Sequence, residues 1–219
     1  MSARVRGVAI FDLDGTLIDS APAIARALDR LRAARGLPGL DVGLVRRWIS
    51  LGAPTLVGRA LGIAGDACEE DIAAFRASYA KQPGAPTDLY PGIPEALAEL
   101  HDAGVLLGIC TNKPQALSEK VLAAAGIETH FAAVVGGDAA PRPKPDGAHL
   151  RQALEAMDCS GPFDFIGDSS IDAMAARTAG ARFLWAAWGY PDADALAPAH
   201  RTLHAPAGLV AAILHADHA

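Results

Sequence analysis

The sequence predicts an α/β protein: a doubly wound parallel sheet with an all-helical segment inserted after the first strand. Three observations carry this. Short, fully apolar runs recur along the chain; helical patterns separate them; and one long stretch, from Thr16 to Thr87, holds helix-like segments alone. Strands buried on both faces read as continuous apolar runs, and their alternation with helices marks a parallel sheet.

The first run, Val8-Ala9-Ile10-Phe11, ends abruptly at Asp12-Leu13-Asp14-Gly15, as a central strand closed by a turn would. Helical periodicity then follows around 23–35, 43–49, 55–61 and 67–81, with no strand between them. Gln82-Pro83-Gly84-Ala85-Pro86 breaks the pattern, and Tyr90-Pro91-Gly92 supplies turn chemistry for re-entry. Further apolar runs at 105–110, 132–135, 163–166 and 182–185 provide the remaining strands, and helices are expected at 170–179 and 209–214. The division that follows is a core of residues 1–15 and 88–219 and a helical cap of residues 16–87, joined by two linkers that allow the cap to move as a lid.

With 219 residues, 51% of them hydrophobic and 20% charged, the chain can bury a full core, and neither a disordered nor a fibrous class fits. The net charge of −6 repels nucleic acid and anionic membranes. That charge is uneven. The inserted stretch carries nine Lys and Arg against seven Asp and Glu, so an anionic ligand would be met from its side. Cys68, Cys110 and Cys159 are too widely spaced for a disulfide framework or a zinc site and read as reduced thiols. The apolar run behind Met1–Gly7 is short and lacks a cleavage site, and no run approaches the roughly 18 residues of a membrane span. A cytoplasmic protein is expected.

The chemistry gathers at strand ends. Asp12 and Asp14 close the first strand, where ligands of open α/β sheets bind. Asp-x-Asp-Gly is also common turn chemistry, but a second acidic pair, Asp168 and Asp172, closes the run Phe165-Ile166-Gly167. Two such pairs can converge on one cation, and an all-oxygen donor set suits Mg²⁺. Asp172 would also serve as a favourable acid in the first turn of a helix. Thr111-Asn112-Lys113-Pro114 stands at another strand-to-helix junction, where a hydroxyl and free amides can hold an anion. Lys144, set between Pro143 and Pro145, has a restricted backbone that would aim its ammonium inward.

These motifs, Phe11-Asp12-Leu13-Asp14-Gly15-Thr16-Leu17, Thr111-Asn112, Lys144 and Gly167-Asp168-Ser169-Ser170-Ile171-Asp172, follow the order and approximate spacing of the haloacid dehalogenase-like hydrolase superfamily, which the whole chain resembles. The stretches 45–53, 110–114 and 135–138 and Trp188-Gly189-Tyr190 are similar to bacterial phosphoglycolate phosphatases. The resemblance implies a Rossmann-like core with the superfamily's first type of helical cap (C1). It also implies that Asp12 is a nucleophile and Asp14 a general acid/base. Asp12, the Asp14 backbone carbonyl and Asp168 would hold Mg²⁺. Asp172 would orient the metal's waters or Lys144, and Thr111, Asn112 and Lys144 would bind phosphate. The expected substrate is a small phosphorylated metabolite, 2-phosphoglycolate first among them.

Within the superfamily, Asp14 argues for phosphoryl transfer, because dehalogenase members lack an aspartate there. A sugar-phosphate phosphatase or a phosphomutase with the same core is the alternative enzyme; a non-catalytic binding module would not need the intact acidic set. A phosphonate-cleaving member needs a Schiff-base lysine in the cap, whose one lysine, Lys81, lies near the hinge. For substrate choice, Arg46 and Arg47 are the candidates, since a guanidinium pairs bidentately with a carboxylate, and Ser50, Gly52 and Thr55 form the loop expected to close over the site. No metal role is given to His200, His204, His215 or His218, which are read as part of a terminal helix and a solvated tail. Trp185 and Trp188 are expected to pack, and Asp138 and Arg142 to shape the loop before Lys144. The sequence is silent on oligomeric state.

Overall fold

The computed structural model describes residues 7–190 and 199–215. Residues 1–6, within the stretch expected to carry no targeting signal, lie outside them, as does His218. Among the described residues, β1 (Gly7–Phe11), β2 (Val105–Cys110), β3 (Ala133–Val135), β4 (Asp164–Gly167), β5 (Arg182–Ala186) and β6 (Arg201–Leu203) form one parallel sheet in the order β3-β2-β1-β4-β5-β6. The chain moves outward from β1 to β3, then crosses over to β4 on the other side of β1. The reversal of strand order therefore falls between β1 and β4, where such sheets open a crevice beyond their carboxyl ends.

Both faces of the sheet are covered, which is why β1 carries no polar residue. Ala9 and Phe11 enter the core cluster that also holds α5 (Ile93–Asp102), α6 (Gln115–Ala125) and α9 (Leu209–Leu214). Val8 and Ile10 point the other way, into the cluster built with α7 (Ala148–Ala156) and α8 (Ser170–Ala179). Each clustered side chain removes apolar surface from water at about 25 cal/mol per Å². A buried ion pair adds direction to the packing. Arg182 grips Asp164 with Nε at 2.6 Å and a terminal nitrogen at 2.8 Å, while donating 2.8 Å to the Ala212 carbonyl of α9.

Between β1 and α5 the chain forms α1 (Ala21–Ala33), α2 (Val42–Trp48), α3 (Ala53–Leu61) and α4 (Glu69–Tyr79). The boundaries follow local chemistry. Pro22 is tolerated in the first turn of α1 because no hydrogen bond is needed there. Asp41 caps α2 by accepting from the Leu44 amide at 3.2 Å, and Glu69, Glu70 and Asp71 load the first turn of α4 with favourable negative charge. Ile24 and Leu28 of α1 pack with Phe75 and Tyr79 of α4 in the same cluster that reaches the sheet. The two connections to the sheet run side by side: Ile18 bridges Leu89 antiparallel, Tyr90 donates to the Leu17 carbonyl at 3.1 Å, and Asp19 donates to Asp88 at 2.8 Å.

One expectation changes at the sheet edge. Residues 200–204, read as a solvated tail, contain β6, which pairs with β5, and His200 exchanges two bonds with Phe183, through its backbone amide at 2.9 Å and its Nδ1 at 3.0 Å. A three-residue strand with one inward side chain, Leu203, is too short to show periodicity. Trp185 is buried in the core as expected. Among the described residues no helix is long and apolar enough to cross a membrane.

Gly58 of α3 shows how tightly the helical segment closes. A Cβ there would lie 2.2 Å from the Gly65 carbonyl oxygen. Gly58→Ala should lower stability by about 1–3 kcal/mol through overpacking, despite alanine's better helix propensity. A urea unfolding midpoint at or above that of the wild type would show that the close approach does not exist in solution.

Candidate active site

The crevice beyond β1 and β4 collects most of the sequence-selected residues. The pairing of the two strands continues one step past β1, where the Asp12 amide donates to Ile166 at 2.9 Å. The chain then turns sharply: the Leu13 carbonyl accepts from Leu17 and Ile18, and Gly15 donates to Ile18 at 2.9 Å. Gly15 has φ +86°, and a Cβ on it would fall 2.1 Å from Asp168 Oδ2, so the turn requires glycine. Leu13 is wholly buried, and Asp12 and Asp14 both line the cavity above the sheet.

Asp168 is clamped from the outside. Thr16 Oγ1 donates to its Oδ1 at 3.1 Å and the Tyr190 amide to its Oδ2 at 2.8 Å, while Trp188 Nε1 holds the Thr16 carbonyl at 2.9 Å. Asp172 occupies the third residue of α8, where Ser169 and Asp172 cap each other: Ser169 Oγ reaches Asp172 Oδ2 at 2.6 Å and the Asp172 amide returns to Ser169 Oγ at 3.2 Å. Asp172 thus caps its helix with one oxygen, while its other oxygen accepts Lys144 Nζ at 2.6 Å.

Lys144 is the centre of the cluster. Its ammonium, on a side chain only 3% exposed, lies 2.6 Å from Asp172 Oδ1 and 2.8 Å from Asp12 Oδ1, with the Phe165 ring 5.4 Å away. Its backbone is fixed on both sides, since the amide donates to His149 Nδ1 at 3.2 Å and the carbonyl accepts Asn112 Nδ2 at 2.9 Å. With Nδ1 accepting, His149 carries its proton on Nε2, directed at the Val135 carbonyl 3.2 Å away. Burial, then the Lys144 charge, lowers the His149 pKa to about 4, so the ring stays neutral. Asp138 caps the neighbouring helix by accepting from the Gln115 amide at 2.7 Å, and Arg142 pairs with Asp146 at 3.2 Å at the surface, so both shape the loop as expected.

Asp12, Asp168 and Asp172 offer carboxylate oxygens that all lie within 4.8 Å of one another. One lysine cannot balance three such groups in a water-poor site. Burial, moderated by Lys144 and aggravated by Asp172, raises Asp12 to about 6, and burial followed by the charges of Asp172 and Asp12 pushes Asp168 well above the usual range. Asp12 Oδ1, close to Lys144 but poorly angled to it, and Asp14 Oδ1 are buried without a hydrogen bond. A hard cation satisfies what this donor set lacks. Cysteine takes no part in it; the one cysteine nearby, Cys110, is fully buried, and burial pushes its thiol pKa up.

Two contributors escaped the sequence reading. Lys113, inside the Thr-Asn-Lys-Pro motif, is buried with Nζ 2.9 Å from Asp14 Oδ2 and 3.4 Å from Tyr79 Oη, and lies 4.6 Å over the Tyr79 ring. Burial opposes its charge, but Asp14 and Tyr79 more than offset that and its pKa is raised. His149 is the other, with no sequence signal beyond standing five residues after Lys144. Thr111 is buried on the cavity wall, and its Oγ1 accepts the Lys113 amide at 3.3 Å.

The residues selected for substrate choice are placed differently. Arg46 turns to Asp19, its terminal nitrogen 2.5 Å from Oδ2, and Arg47 is exposed; neither lines the cavity. Ser50 and Gly52 do line it, whereas Thr55 donates to Asp66 at 2.7 Å instead. The arginine that faces the cavity is Arg76 of α4, which sequence reasoning passed over.

The chain as a whole is similar to known proteins. Residues 9–186 match the family model described as haloacid dehalogenase-like hydrolase. A phosphoglycolate phosphatase from Yersinia pestis is 39% identical over 202 residues, covering 90% of this chain and 87% of its own. Among solved structures, one described as a predicted phosphoglycolate phosphatase from Haemophilus somnus aligns with TM-score 0.79 and 27% identity, over 96% of this chain and 99% of its own. CbbY from Rhodobacter sphaeroides, solved with phosphate, aligns with TM-score 0.76 and 26% identity, over 92% and 95%. A parallel sheet with two acidic strand ends around a buried lysine, and a family model spanning nearly all of that sheet, lead to one conclusion: the chain belongs to the haloacid dehalogenase-like hydrolases.

Proposed function

We propose that the protein is a Mg²⁺-dependent phosphoglycolate phosphatase of the cytoplasm, hydrolysing 2-phosphoglycolate to glycolate and phosphate. The observation that carries this reading is the convergence of Asp12, Asp168 and Asp172, with Lys144 bound to the first and last of them and Asp14 lining the same cavity. The substrate name rests on the relatives.

An Asp12 oxygen attacks phosphorus, and the bond to the ester oxygen breaks as an aspartyl-phosphate forms, splitting one hard hydrolysis into two steps. Asp14 gives its proton to the departing alkoxide and afterwards takes one from the water that cleaves the aspartyl-phosphate. Lys113, beside Asp14 Oδ2, keeps that carboxyl aimed at the site. The Thr111 hydroxyl, the Asn112 amide and the Lys144 ammonium spread the charge of the transferring group, the preorganised electrostatic contribution on which phosphoryl transfer depends. Asp12, the Asp14 carbonyl and Asp168 would hold Mg²⁺, which when bound neutralises charge between nucleophile and phosphate. Asp172 has both oxygens occupied, by Lys144 and by Ser169, and acts by positioning Lys144. In this reading residues 16–87 are a cap over a core of residues 1–15 and 88–219, excluding water from the intermediate.

Phosphate release from a panel of small phosphomonoesters, with Mg²⁺ and with chelator, tests the assignment. The highest kcat/KM should fall on 2-phosphoglycolate and vanish on chelation; metal-dependent turnover favouring a sugar phosphate would remove the substrate name. Asp12→Asn is nearly isosteric and should fold with an unchanged circular dichroism spectrum yet lose at least ~10³-fold in kcat, and retained turnover would refute the nucleophile. Because cation binding must displace the protons that burial favours on Asp12 and Asp168, calorimetric Mg²⁺ affinity should fall as the pH is lowered. Below about 6, where Asp12 itself takes up its proton, the fall should reach about tenfold per pH unit or more. An affinity unchanged down to pH 5 would place the cation elsewhere.

A further inference from the structure

We infer that Arg76 of α4 binds the carboxylate of the substrate, so that the site selects small phosphomonoesters that also carry a carboxylate. The reaction itself rests on the phosphatase reading above; the assignment of Arg76 is carried by separate observations.

Three Lys or Arg side chains line the cavity. Lys144 is committed to Asp12 and Asp172, and Lys113 to Asp14 and Tyr79. Arg76 is not committed in this way. Its one ion contact among the described residues is Glu69 on its own helix, 3.6 Å away on a side chain 80% exposed, and such a pair contributes little. Its Nε is buried with no hydrogen-bond acceptor, while 42% of the side chain remains open to solvent. A guanidinium N–H removed from water and left without an acceptor carries a penalty that a ligand oxygen would relieve.

The surroundings specify the ligand further. The lining drawn from the helical segment is largely apolar, with Ile24, Ile49, Leu56 and Phe75, so an ion pair made inside the cavity is screened less than one in open water. The cavity encloses about 150 Å³, room for on the order of ten waters, which suits a ligand of few atoms. The phosphate-binding groups stand on loops that follow the sheet strands and Arg76 on α4, and both line the one cavity. A short ester with phosphate at one end and carboxylate at the other meets both, and the planar fork of arginine matches a carboxylate in a bidentate way that lysine cannot. The excess of basic over acidic residues in 16–87 is thereby given one specific use.

The test compares Arg76→Met, Arg76→Lys and wild type, each with Mg²⁺, on 2-phosphoglycolate and on ethyl phosphate, which lacks the carboxylate. The quantity read is the ratio of the two kcat/KM values. It should fall at least about tenfold in Arg76→Met, mainly through KM for phosphoglycolate, and recover in part in Arg76→Lys, with thermal midpoints confirming that each variant folds. A ratio within twofold of wild type overturns the assignment. So does a larger loss on a small bisphosphate than on phosphoglycolate, which would make the group a second phosphate site. The wild-type ratio is a separate outcome: a preference for ethyl phosphate defeats the phosphoglycolate reading, whereas the change in ratio still decides Arg76. Were turnover too low to measure, the ratio of calorimetric dissociation constants for the same two esters gives the same decision.

Discussion

Three buried carboxyl groups crowded together, with one buried ammonium that reaches two of them, are the constraint around which this molecule is arranged. Removing a charge from water costs several kcal/mol even after the surroundings relax, and here the attraction of Lys144 for Asp12 and Asp172 leaves Asp168 uncompensated. A fold tolerates such a centre when neighbouring donors hold it and a ligand completes it. The sheet order places the acids at the reversal between β1 and β4, where two strand ends diverge and no side-chain layer has to fill the gap.

Much of the nearby chain exists to hold that centre in shape. Gly15, Gly167 and Gly189 are the positions where any side chain would strike Asp168 or Asp172, so their service is proximity rather than flexibility alone. Thr16, Tyr190 and Trp188 restrain the loop after β1 and the loop after β5 against one another through Asp168. His149 and Asn112 do the same for the Lys144 backbone. These contacts join segments far apart in sequence, and each fixes a group that touches the chemistry without touching substrate itself.

The legible part of the molecule was the part written in local patterns. Apolar runs announced the strands, and Asp-x-Asp, Thr-Asn, Lys-Pro and Gly-Asp at their ends announced the site, because topology alone brings parallel strand ends to one edge. What stayed hidden depended on how helices rotate against the sheet. Arg46 and Arg47 were plausible on charge, yet α2 turns Arg46 toward Asp19 and Arg47 to solvent. Arg76 sits in a helix whose apolar stripe is weak, so nothing in its spacing marked it as facing inward. Lys113 and His149 act through partners in other elements, Asp14 and Val135, and only the folded contacts define them. The short β6 escaped for want of length.

The side-by-side connections at Ile18 and Leu89 have an architectural consequence. The helical segment leaves the sheet and returns to it at a single point, its two ends bonded to each other. Everything between them is therefore a closed excursion: lengthening, shortening or exchanging it changes no strand neighbour and no crossover. On the function proposed above, reaction chemistry and ligand choice are written in separable stretches of the chain, so that selectivity would diverge by rewriting one while the other is inherited intact.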